Sequence, residues 1–249
     1  MSKKQYPPQT GYYAVKVKSG QSTDNWQNFD TARLQISVGQ EYHEGQKLSA
    51  MAAWCKERFK HVHFCVNDTL QRFNLMFEQA IGEEESQQVS SKLGEAWINR
   101  NMPIITGVPQ AQIITWDEWK NCPAYPKGFL QTEWLYANNN EFRQSIDSNI
   151  AEIWKRRIHM KADLYIPERY DTFFSLSRRY LLEEMATFAL MYDTKEAIDI
   201  YPGTTLFAAT LFQGKATEGA PAGLGKGHFC RIDFALNKNN KPDPPEANL

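Results

Sequence analysis

A single serine hydroxyl lies at the end of a segment that is predicted to be a β-strand. Residues 32–38 alternate strictly between apolar and polar side chains, and Ser37 is the last polar one, a pattern typical of a half-buried strand. Because open parallel sheets bind ligands at the carboxyl ends of their strands, Ser37 is a candidate nucleophile. The alternative is that Ser37 only satisfies backbone groups at the strand end. The surrounding sequence, QISVG, lacks the first glycine of the Gly-x-Ser-x-Gly hydrolase elbow.

A tyrosine and a glutamate four residues apart form a second candidate group. Tyr180 and Glu184 lie in a strongly periodic segment, 175–192, which is predicted to be a helix, so their side chains are adjacent on one face. That face borders the buried stripe, and a partly desolvated Glu184 needs a partner or binds a cationic group such as an α-ammonium. The alternative is an ordinary surface pair of tyrosine and glutamate.

A third candidate is Tyr201, which directly precedes Pro202 at the end of a predicted strand, 197–201. Its phenol could serve a site at that strand end. It could equally be a packed aromatic side chain.

The elements that must position these residues follow from the hydrophobic periodicity. A strand, a helix and a second strand within about 35 residues, starting at Ala32, form a βαβ unit, whose two strands should be parallel. The sequence therefore predicts an α/β fold with a mostly parallel sheet flanked by helices. The predicted strands are 12–18, 32–38, 61–66, 112–115 and 197–201, and the predicted helical segments are 48–59, 69–80, 86–100, 129–160 and 175–192.

Length and composition indicate a globular protein. The chain has 249 residues, of which 42% are hydrophobic and 23% charged, close to the globular average and unlike collagen-like or disordered chains. We expect one catalytic domain at 11–236, a flexible arm at 1–10 and a disordered tail at 237–249. The formal net charge is -1, so any nucleic-acid partner must bind a local basic patch.

The cysteine pattern and the hydropathy indicate a reduced, cytoplasmic protein. Four cysteines without a C-x-x-C pair fit neither a zinc ribbon nor a thioredoxin motif. The first residues have no hydrophobic leader region, and no stretch approaches 18 uncharged apolar residues, so we expect no membrane contact. His61 and His63 face one side of a strand but have no further ligand at a suitable spacing, so we expect no metal.

Taken together, these motifs resemble the tRNA-dependent cyclodipeptide synthases. The resemblance covers about 165 residues and comprises Ser37 after an alternating strand, Gln40 three residues later, Tyr180-x-x-x-Glu184 and Tyr201-Pro202 in that order. The Tyr-Pro dipeptide, and the lack of asparagine at position 40, resemble the XYP-type branch of the family.

The resemblance implies a Rossmann-like fold, similar to the catalytic domain of class I aminoacyl-tRNA synthetases, and a reaction that joins two aminoacyl groups into a cyclic dipeptide. Ser37 would carry the aminoacyl and then the dipeptidyl group. Tyr180 and Glu184 would hold the α-amino group, and Tyr201 would relay a proton. Two aminoacyl-tRNAs would be the substrates of a monomeric enzyme that needs no cofactor.

Further residues follow from the same resemblance. The substrate-binding candidates are Gln35, Gln40, Cys65 and Pro202. In the family a basic helix contacts tRNA, and the corresponding segment here offers only Lys92 and Arg100. A denser basic run lies later in the chain, at Lys155, Arg156 and Arg157.

Two other function classes remain open from the sequence. A serine hydrolase would need a histidine near Ser37, drawn from the five in the chain: His43, His61, His63, His159 and His228. A non-catalytic tRNA- or nucleotide-binding module with a Rossmann-like fold would bind without turnover.

Overall fold

The protein is built around one sheet. The structure, a computed structural model, describes the chain over residues 11–18, 22–23, 25–194, 196–203, 211–212 and 217–237. The strands in these residues are β1 (Tyr13–Val17), β2 (Thr31–Ser37), β3 (His61–Asn67), β4 (Ala111–Thr115), β5 (Ile198–Tyr201) and β6 (Phe229–Leu236).

Helices connect and cover the strands. None of those in the described part of the chain combines the length and the apolarity that a membrane span needs. The helices are α1 (Gly45–Lys56), α2 (Arg72–Gln79), α3 (Glu83–Thr106), α4 (Trp116–Lys120), α5 (Tyr125–Asn138), α6 (Asn140–Met160) and α7 (Tyr170–Thr194).

The strand order is β1-β6-β5-β2-β3-β4, and all neighbours except β1 and β6 run parallel. The predicted βαβ unit is confirmed as β2, α1 and β3, with β2 and β3 in parallel register. Because β2 is central, its carboxyl end lies between the ends of β3 and β5. This arrangement brings the end of the alternating strand, at Ser37, beside Asn67 and near Tyr201.

The two faces of the sheet differ in character. Leu34 and Ile36 of β2 point to one face, where they are fully buried in an apolar core with Leu48 and Met51 of α1 and Trp97 of α3. The alternate residues of β2 point to the opposite face, which α7 covers. That second face contains the polar side chains of the sheet, because alternation sends every other residue to it.

Two local predictions need correction. The helical segment predicted at 129–160 is divided at Asn139, whose side chain accepts a hydrogen bond from the Phe142 N–H at 2.9 Å and so caps α6. No sequence prediction covered β6, which joins β1 to β5. Arg231 and Asp233 alternate with Cys230, Ile232 and Phe234 in β6, so the missed signal was an alternation of the same kind as in β2.

The predicted termini are only partly described. The arm at 1–10 and residues 238–249 of the predicted tail lie outside the described residues. Asn237, the first residue of that tail, is described, and its N–H donates to the Tyr12 carbonyl at 2.9 Å.

Candidate active site

Ser37 is the last residue of β2 and lies beside the last residue of β5. Its side chain is half-buried, and Ser37 Oγ is 3.4 Å from the hydroxyl of Tyr201. The two residues are far apart in sequence, but β2 and β5 are hydrogen-bonded neighbours that end at the same edge of the sheet. The sheet therefore places a phenol within hydrogen-bonding distance of the candidate nucleophile.

A third hydroxyl extends this pair. The Tyr42 hydroxyl lies 2.9 Å from the Tyr201 hydroxyl, and the two rings meet edge to face with centroids 6.0 Å apart. Burial and the neighbouring Tyr201 raise the pKa of Tyr42 well above its ordinary value, so the phenol stays protonated and can donate. Sequence reasoning missed Tyr42. The available signal was a tyrosine within a few residues of a strand end that carries a candidate nucleophile.

The backbone of Ser37 is held by a buried histidine. His43 lies on a short 3-10 turn, Glu41–His43, and its Nδ1 is 2.9 Å from the Ser37 N–H nitrogen. The side chain is completely buried, and this burial lowers its pKa to about 3. The His43 carbonyl accepts a hydrogen bond at 2.9 Å from the indole N–H of Trp97 in α3. The turn is therefore anchored to the helix behind it.

The second predicted group, on α7, faces the same site. Tyr180 and Glu184 are one helical turn apart, and Gln71 Nε2 donates to the Tyr180 hydroxyl at 3.4 Å. Burial raises the pKa of Tyr180 well above its ordinary value, and the nearby Glu184 and Tyr201 raise it further. These electrostatic effects mean that the two residues from α7 lie close to the tyrosine of β5.

Glu184 is the least satisfied carboxyl group of the site. Within the described residues it has no hydrogen bond and no ion pair, its side chain is half-buried, and desolvation raises its pKa to about 8. Because an ordinary glutamate ionises near pH 4.5 and this carboxyl group near pH 8, Glu184 is largely protonated at neutral pH. A carboxyl group of this kind binds an incoming cation or exchanges a proton with it.

The hydroxyl groups of Ser37, Tyr201 and Tyr42 form a hydroxyl cluster. Below it lies a layer of buried polar side chains. Gln35 is adjacent to Cys65 in the parallel register, and both are buried on the face that carries Ser37. Gln35 Nε2 donates to Asp199 Oδ1 at 3.0 Å, and Arg33 Nε donates to the same oxygen at 2.8 Å. The predicted pocket residues Gln35 and Cys65 thus belong to the floor beneath the site.

The other two predicted substrate-binding residues lie at its edge. The Gln40 N–H donates to the Ser37 carbonyl at 3.2 Å, which closes the turn after β2. Pro202 is half-buried and follows Tyr201. The structure thus brings all the predicted catalytic and substrate-binding residues to one edge of the sheet, while their roles stay predictions.

The predicted basic residues fall into two places. On α3, Lys92 and Arg100 are exposed, and Arg100 pairs with Glu44 at 2.7 Å. On α6, Lys155 and Arg156 are exposed.

Of these two groups, the basic residues of α6 lie nearer the hydroxyl cluster. Arg157 is half-buried and pairs with Glu78 at 3.3 Å. Arg156 and Arg157 are close enough to Tyr42 to oppose the rise in its pKa. The carboxyl-terminal half of α6 therefore places positive charge beside the candidate active site.

The cavity found in the described part of the chain lies away from this edge of the sheet. No group of three or more potential ligands could hold a metal ion in the part of the chain that the structure describes. A cavity of about 490 Å³ lies against β4, and none of the predicted site residues lines it. Its lining consists of Gln112, Ile113, Ile114, Glu118, Trp119 and Cys122.

Comparison with known proteins identifies the fold. Neither protein-family models nor curated proteins match this sequence. Among solved structures, a cyclodipeptide synthase (CDPS) from Fluoribacter dumoffii is 24% identical with a TM-score of 0.78, over 90% of this chain and 99% of that one. A cyclodipeptide synthase from Candidatus Glomeribacter gigasporarum, bound to Phe-tRNA, is 19% identical with a TM-score of 0.65, over 88% and 92%.

A third similar structure connects this fold to the synthetases. It is a Mycobacterium tuberculosis protein, reported to demonstrate that cyclodipeptide synthetases are related to type I tRNA synthetases. It is 13% identical with a TM-score of 0.66, over 92% of this chain and 95% of that one. The predicted fold class, a mostly parallel sheet flanked by helices and similar to the class I synthetase domain, is confirmed.

Proposed function

We propose that this chain is a tRNA-dependent cyclodipeptide synthase, which joins the aminoacyl groups of two aminoacyl-tRNAs. One observation carries the proposal. The Ser37 hydroxyl, the Tyr201 hydroxyl and the Tyr180–Glu184 pair converge at one edge of a sheet that has the cyclodipeptide synthase fold. A nucleophile, a proton donor and an amine-binding carboxyl group are the parts that this reaction requires.

The first half-reaction transfers an aminoacyl group to the protein. Ser37 Oγ attacks the ester carbonyl of the first aminoacyl-tRNA, the ester bond to the ribose breaks, and the ribose oxygen leaves with a proton. Tyr201 is the nearest described hydroxyl to Ser37 Oγ, so it passes the serine proton toward the leaving oxygen. The aminoacyl group remains as an ester on Ser37.

The second half-reaction uses the α-amino group of that ester. The raised pKa of Glu184, about 8, is close to that of an α-ammonium group, about 7.7–8.0. The two groups therefore exchange a proton at little cost in free energy, and Glu184 in its ionised form takes a proton from the ammonium and leaves the amine free to react. Tyr180 lies one turn away and orients the same group. The amine attacks the second aminoacyl-tRNA ester, a peptide bond forms, and the second tRNA leaves.

Cyclisation regenerates the serine. The amine of the dipeptidyl group attacks the Ser37 ester, the ester bond breaks, and the diketopiperazine leaves while Ser37 Oγ regains a proton. Every bond that breaks is an ester, and the activation of the two tRNA esters is carried over to the ester on Ser37. The protein therefore supplies positioning and charge stabilisation, and needs no ATP or other cofactor.

We assign the main tRNA contact to α6. The charges of Arg156 and Arg157 act on the pKa of Tyr42, and Lys155 and Arg156 are exposed, so these side chains are available to phosphates near the aminoacyl ester. Arg100 of α3 pairs with Glu44, as Arg157 of α6 pairs with Glu78, so the electrostatic effect of α6 on Tyr42 is what favours α6. Phosphate contacts of this kind position the RNA without reading its sequence.

The chemistry of His43 disfavours a serine hydrolase. A hydrolase base must contact the serine hydroxyl, whereas His43 Nδ1 contacts the Ser37 backbone nitrogen and carbonyl. Burial also lowers the pKa of His43 to about 3, so it is a poor proton acceptor at neutral pH. His63 is paired in register with Arg33, roughly 13 Å along the sheet from Ser37.

The test of this function is mass spectrometry of medium from cells that express the chain. We expect cyclic dipeptides with the wild type and none with Ser37→Ala. Purified wild type incubated with aminoacyl-tRNA labelled in its amino acid should carry a covalent label at Ser37. A medium without cyclic dipeptides, together with no adduct from any of the twenty aminoacyl-tRNAs, would contradict the proposal. Binding of tRNA without turnover, unchanged by Ser37→Ala, would favour the non-catalytic module.

The proposal also covers the branch of the cyclodipeptide synthase family and the oligomeric state of the enzyme. Gln40 and the Tyr201-Pro202 dipeptide support assignment to the XYP-type branch. We also propose that the enzyme acts as a monomer, since every residue invoked above comes from one chain. Light scattering during turnover tests the second point.

A further inference from the structure

The backbone N–H of Ser37 receives an unusual partner. The pairing of β2 with β5 ends at Leu34 and Ile200, so the last residues of β2 extend beyond this paired region. At this end, the Ser37 N–H donates to His43 Nδ1 at 2.9 Å. A side chain thus takes the place of a strand carbonyl at the residue that carries the candidate nucleophile.

This contact determines the protonation of the imidazole. An N–H donor requires an acceptor, so Nδ1 carries no proton and the proton of the neutral ring is on Nε2. Burial lowers the pKa of His43 to about 3, in agreement with a neutral ring. The Ser37 carbonyl is farther from Nδ1, at 3.3 Å, and the shorter N–H contact decides the assignment.

The surroundings of the other ring nitrogen, Nε2, indicate that a contribution to stability does not by itself explain a histidine at position 43. His43 Nε2 is buried and has no hydrogen-bond partner within the described residues. A buried polar atom without a partner costs stability, and such atoms in native proteins call for a functional explanation. An apolar ring of similar size would avoid this cost but would lose the contact with Ser37.

The same ring also contacts the hydroxyl cluster. Its centroid is 4.6 Å from that of Tyr42 and 5.7 Å from that of Tyr201. Its own backbone is fixed by the indole N–H of Trp97. The His43 side chain therefore contacts the backbone of Ser37 and the rings of Tyr42 and Tyr201.

We propose that His43 is a positioning residue, whose neutral imidazole holds the Ser37 backbone and the Tyr201 ring so that Ser37 Oγ meets the Tyr201 hydroxyl. This role rests on the proposed function of Ser37. His43 does not act as a base, because it contacts the backbone of Ser37 and not its hydroxyl oxygen. It acts on the rate of Ser37 acylation, since small displacements of a nucleophile are costly.

Two substitutions separate the ring from the acceptor. His43→Phe keeps a planar ring but removes the acceptor at the Nδ1 position. His43→Asn places an amide oxygen near that position and removes the ring. We expect His43→Phe to slow single-turnover acylation of Ser37 by about 10- to 100-fold, with little change in the tRNA concentration that gives half-maximal rate. His43→Asn should recover part of that loss.

A spectroscopic measurement tests the geometry without turnover. In the ¹⁵N NMR spectrum of the wild type, we expect the neutral Nε2–H tautomer between about pH 5 and pH 8. The Ser37 amide proton should exchange at least about tenfold faster in His43→Phe than in the wild type, because one lost hydrogen bond corresponds to about a factor of ten. The Ser37 amide in His43→Asn should remain partly protected. The comparison requires that the wild type and both variants have equal melting temperatures. If His43→Phe is unfolded, the test compares the wild type with His43→Asn alone.

The outcomes distinguish this role from the function itself. If Ser37 is acylated equally fast in the wild type and in His43→Phe, the role of His43 is overturned and the proposed function stands. A proton on Nδ1 in the NMR spectrum would also overturn it. Wild type that is never acylated would overturn the proposed function, and the role of His43 with it.

Discussion

Glu183 and Glu184 are consecutive on α7, yet the protein shifts the pKa values of their carboxyl groups in opposite directions. Burial would raise the pKa of Glu183, but the hydrogen-bonded charge of Arg72, together with Lys120 and the indole of Trp116, outweighs it and lowers that pKa. Glu184 has no such partner in the described residues, and its pKa rises to about 8. Consecutive helical residues point about 100° apart. Glu183 therefore forms an ion pair that stabilises the fold, whereas Glu184 faces the site with Tyr180.

The first prediction concerns the stability cost of Glu184. Its pKa of about 8 in the folded protein lies above the ordinary 4.5, so the folded state retains a proton that the unfolded chain releases. The free energy of unfolding should therefore fall as pH rises from about 4.5 to 8. Glu184→Gln should remove this fall and be more stable than wild type near pH 8.5, with a smaller difference near pH 5.

Urea unfolding at both pH values measures this difference. The matched control is Glu95→Gln, at an exposed position on α3, which should follow the wild type at both. A stability difference between Glu184→Gln and wild type that does not change with pH would contradict the raised pKa.

The second prediction concerns the partner of Glu183. Arg72 Nη1 donates to Glu183 Oε1 at 2.8 Å, and the indole N–H of Trp116 donates to the same oxygen at 2.9 Å. Both charged side chains are buried, so Glu183→Gln removes the buried counter-charge of Arg72 and leaves it only a longer contact, 3.7 Å, with the more exposed Glu83. We expect a loss of about 3–5 kcal/mol in the free energy of unfolding.

Chemical denaturation checks this loss against an exposed pair. Lys60 Nζ lies 2.8 Å from Asp30 Oδ2, and both side chains are more than half exposed. Lys60→Gln should change stability by no more than about 1 kcal/mol. Similar effects of the two substitutions would mean that the Arg72–Glu183 pair does not support the fold.

The third prediction concerns the chain of hydroxyls. Tyr201→Phe removes the hydroxyl 3.4 Å from Ser37 Oγ and should slow acylation by about 10²- to 10⁴-fold, the range for loss of a proton-transfer group. Tyr42→Phe removes the next hydroxyl, which touches Tyr201 and not Ser37, so its effect should be smaller. Single-turnover transfer from labelled aminoacyl-tRNA measures both.

Tyr13→Phe is the control for these two variants, because Tyr13 lies on β1 at the far edge of the sheet and should acylate normally. If Tyr42→Phe were slower than Tyr201→Phe, the direct contact of Ser37 with Tyr201 would not be the catalytic one.

The fourth prediction locates the RNA contact. Arg156→Glu should raise the concentration of aminoacyl-tRNA at half-maximal rate and flatten the dependence of binding on log salt by about one unit of slope, because one phosphate contact is lost. The rate at saturation should change little. Lys92→Glu makes the same charge change on α3. A larger effect from Lys92→Glu than from Arg156→Glu would assign the main contact to α3.

Local patterns in the sequence were sufficient for much of the fold and for the separate parts of the site. Strict alternation over 32–38 predicted β2 and located Ser37 at its end, and the spacing of Tyr180 and Glu184 placed them on one helical face. Both patterns arise from the periodicity of a single element, two residues in a strand and 3.6 in a helix. The alternation of apolar and charged side chains at 230–234 in β6 was a signal of the same kind, but no strand was predicted there.

Only the tertiary structure decided how these parts meet. The order of the strands brings Tyr201 to Ser37, and the packing of α3 fixes the turn that presents Tyr42 and His43. Neither position carries a periodic signal, because a contact between distant segments depends on which strands become neighbours and how helices pack on them. The sequence by itself determined which groups are available for chemistry, whereas sheet order and burial determined which of them touch and which carboxyl group holds its proton.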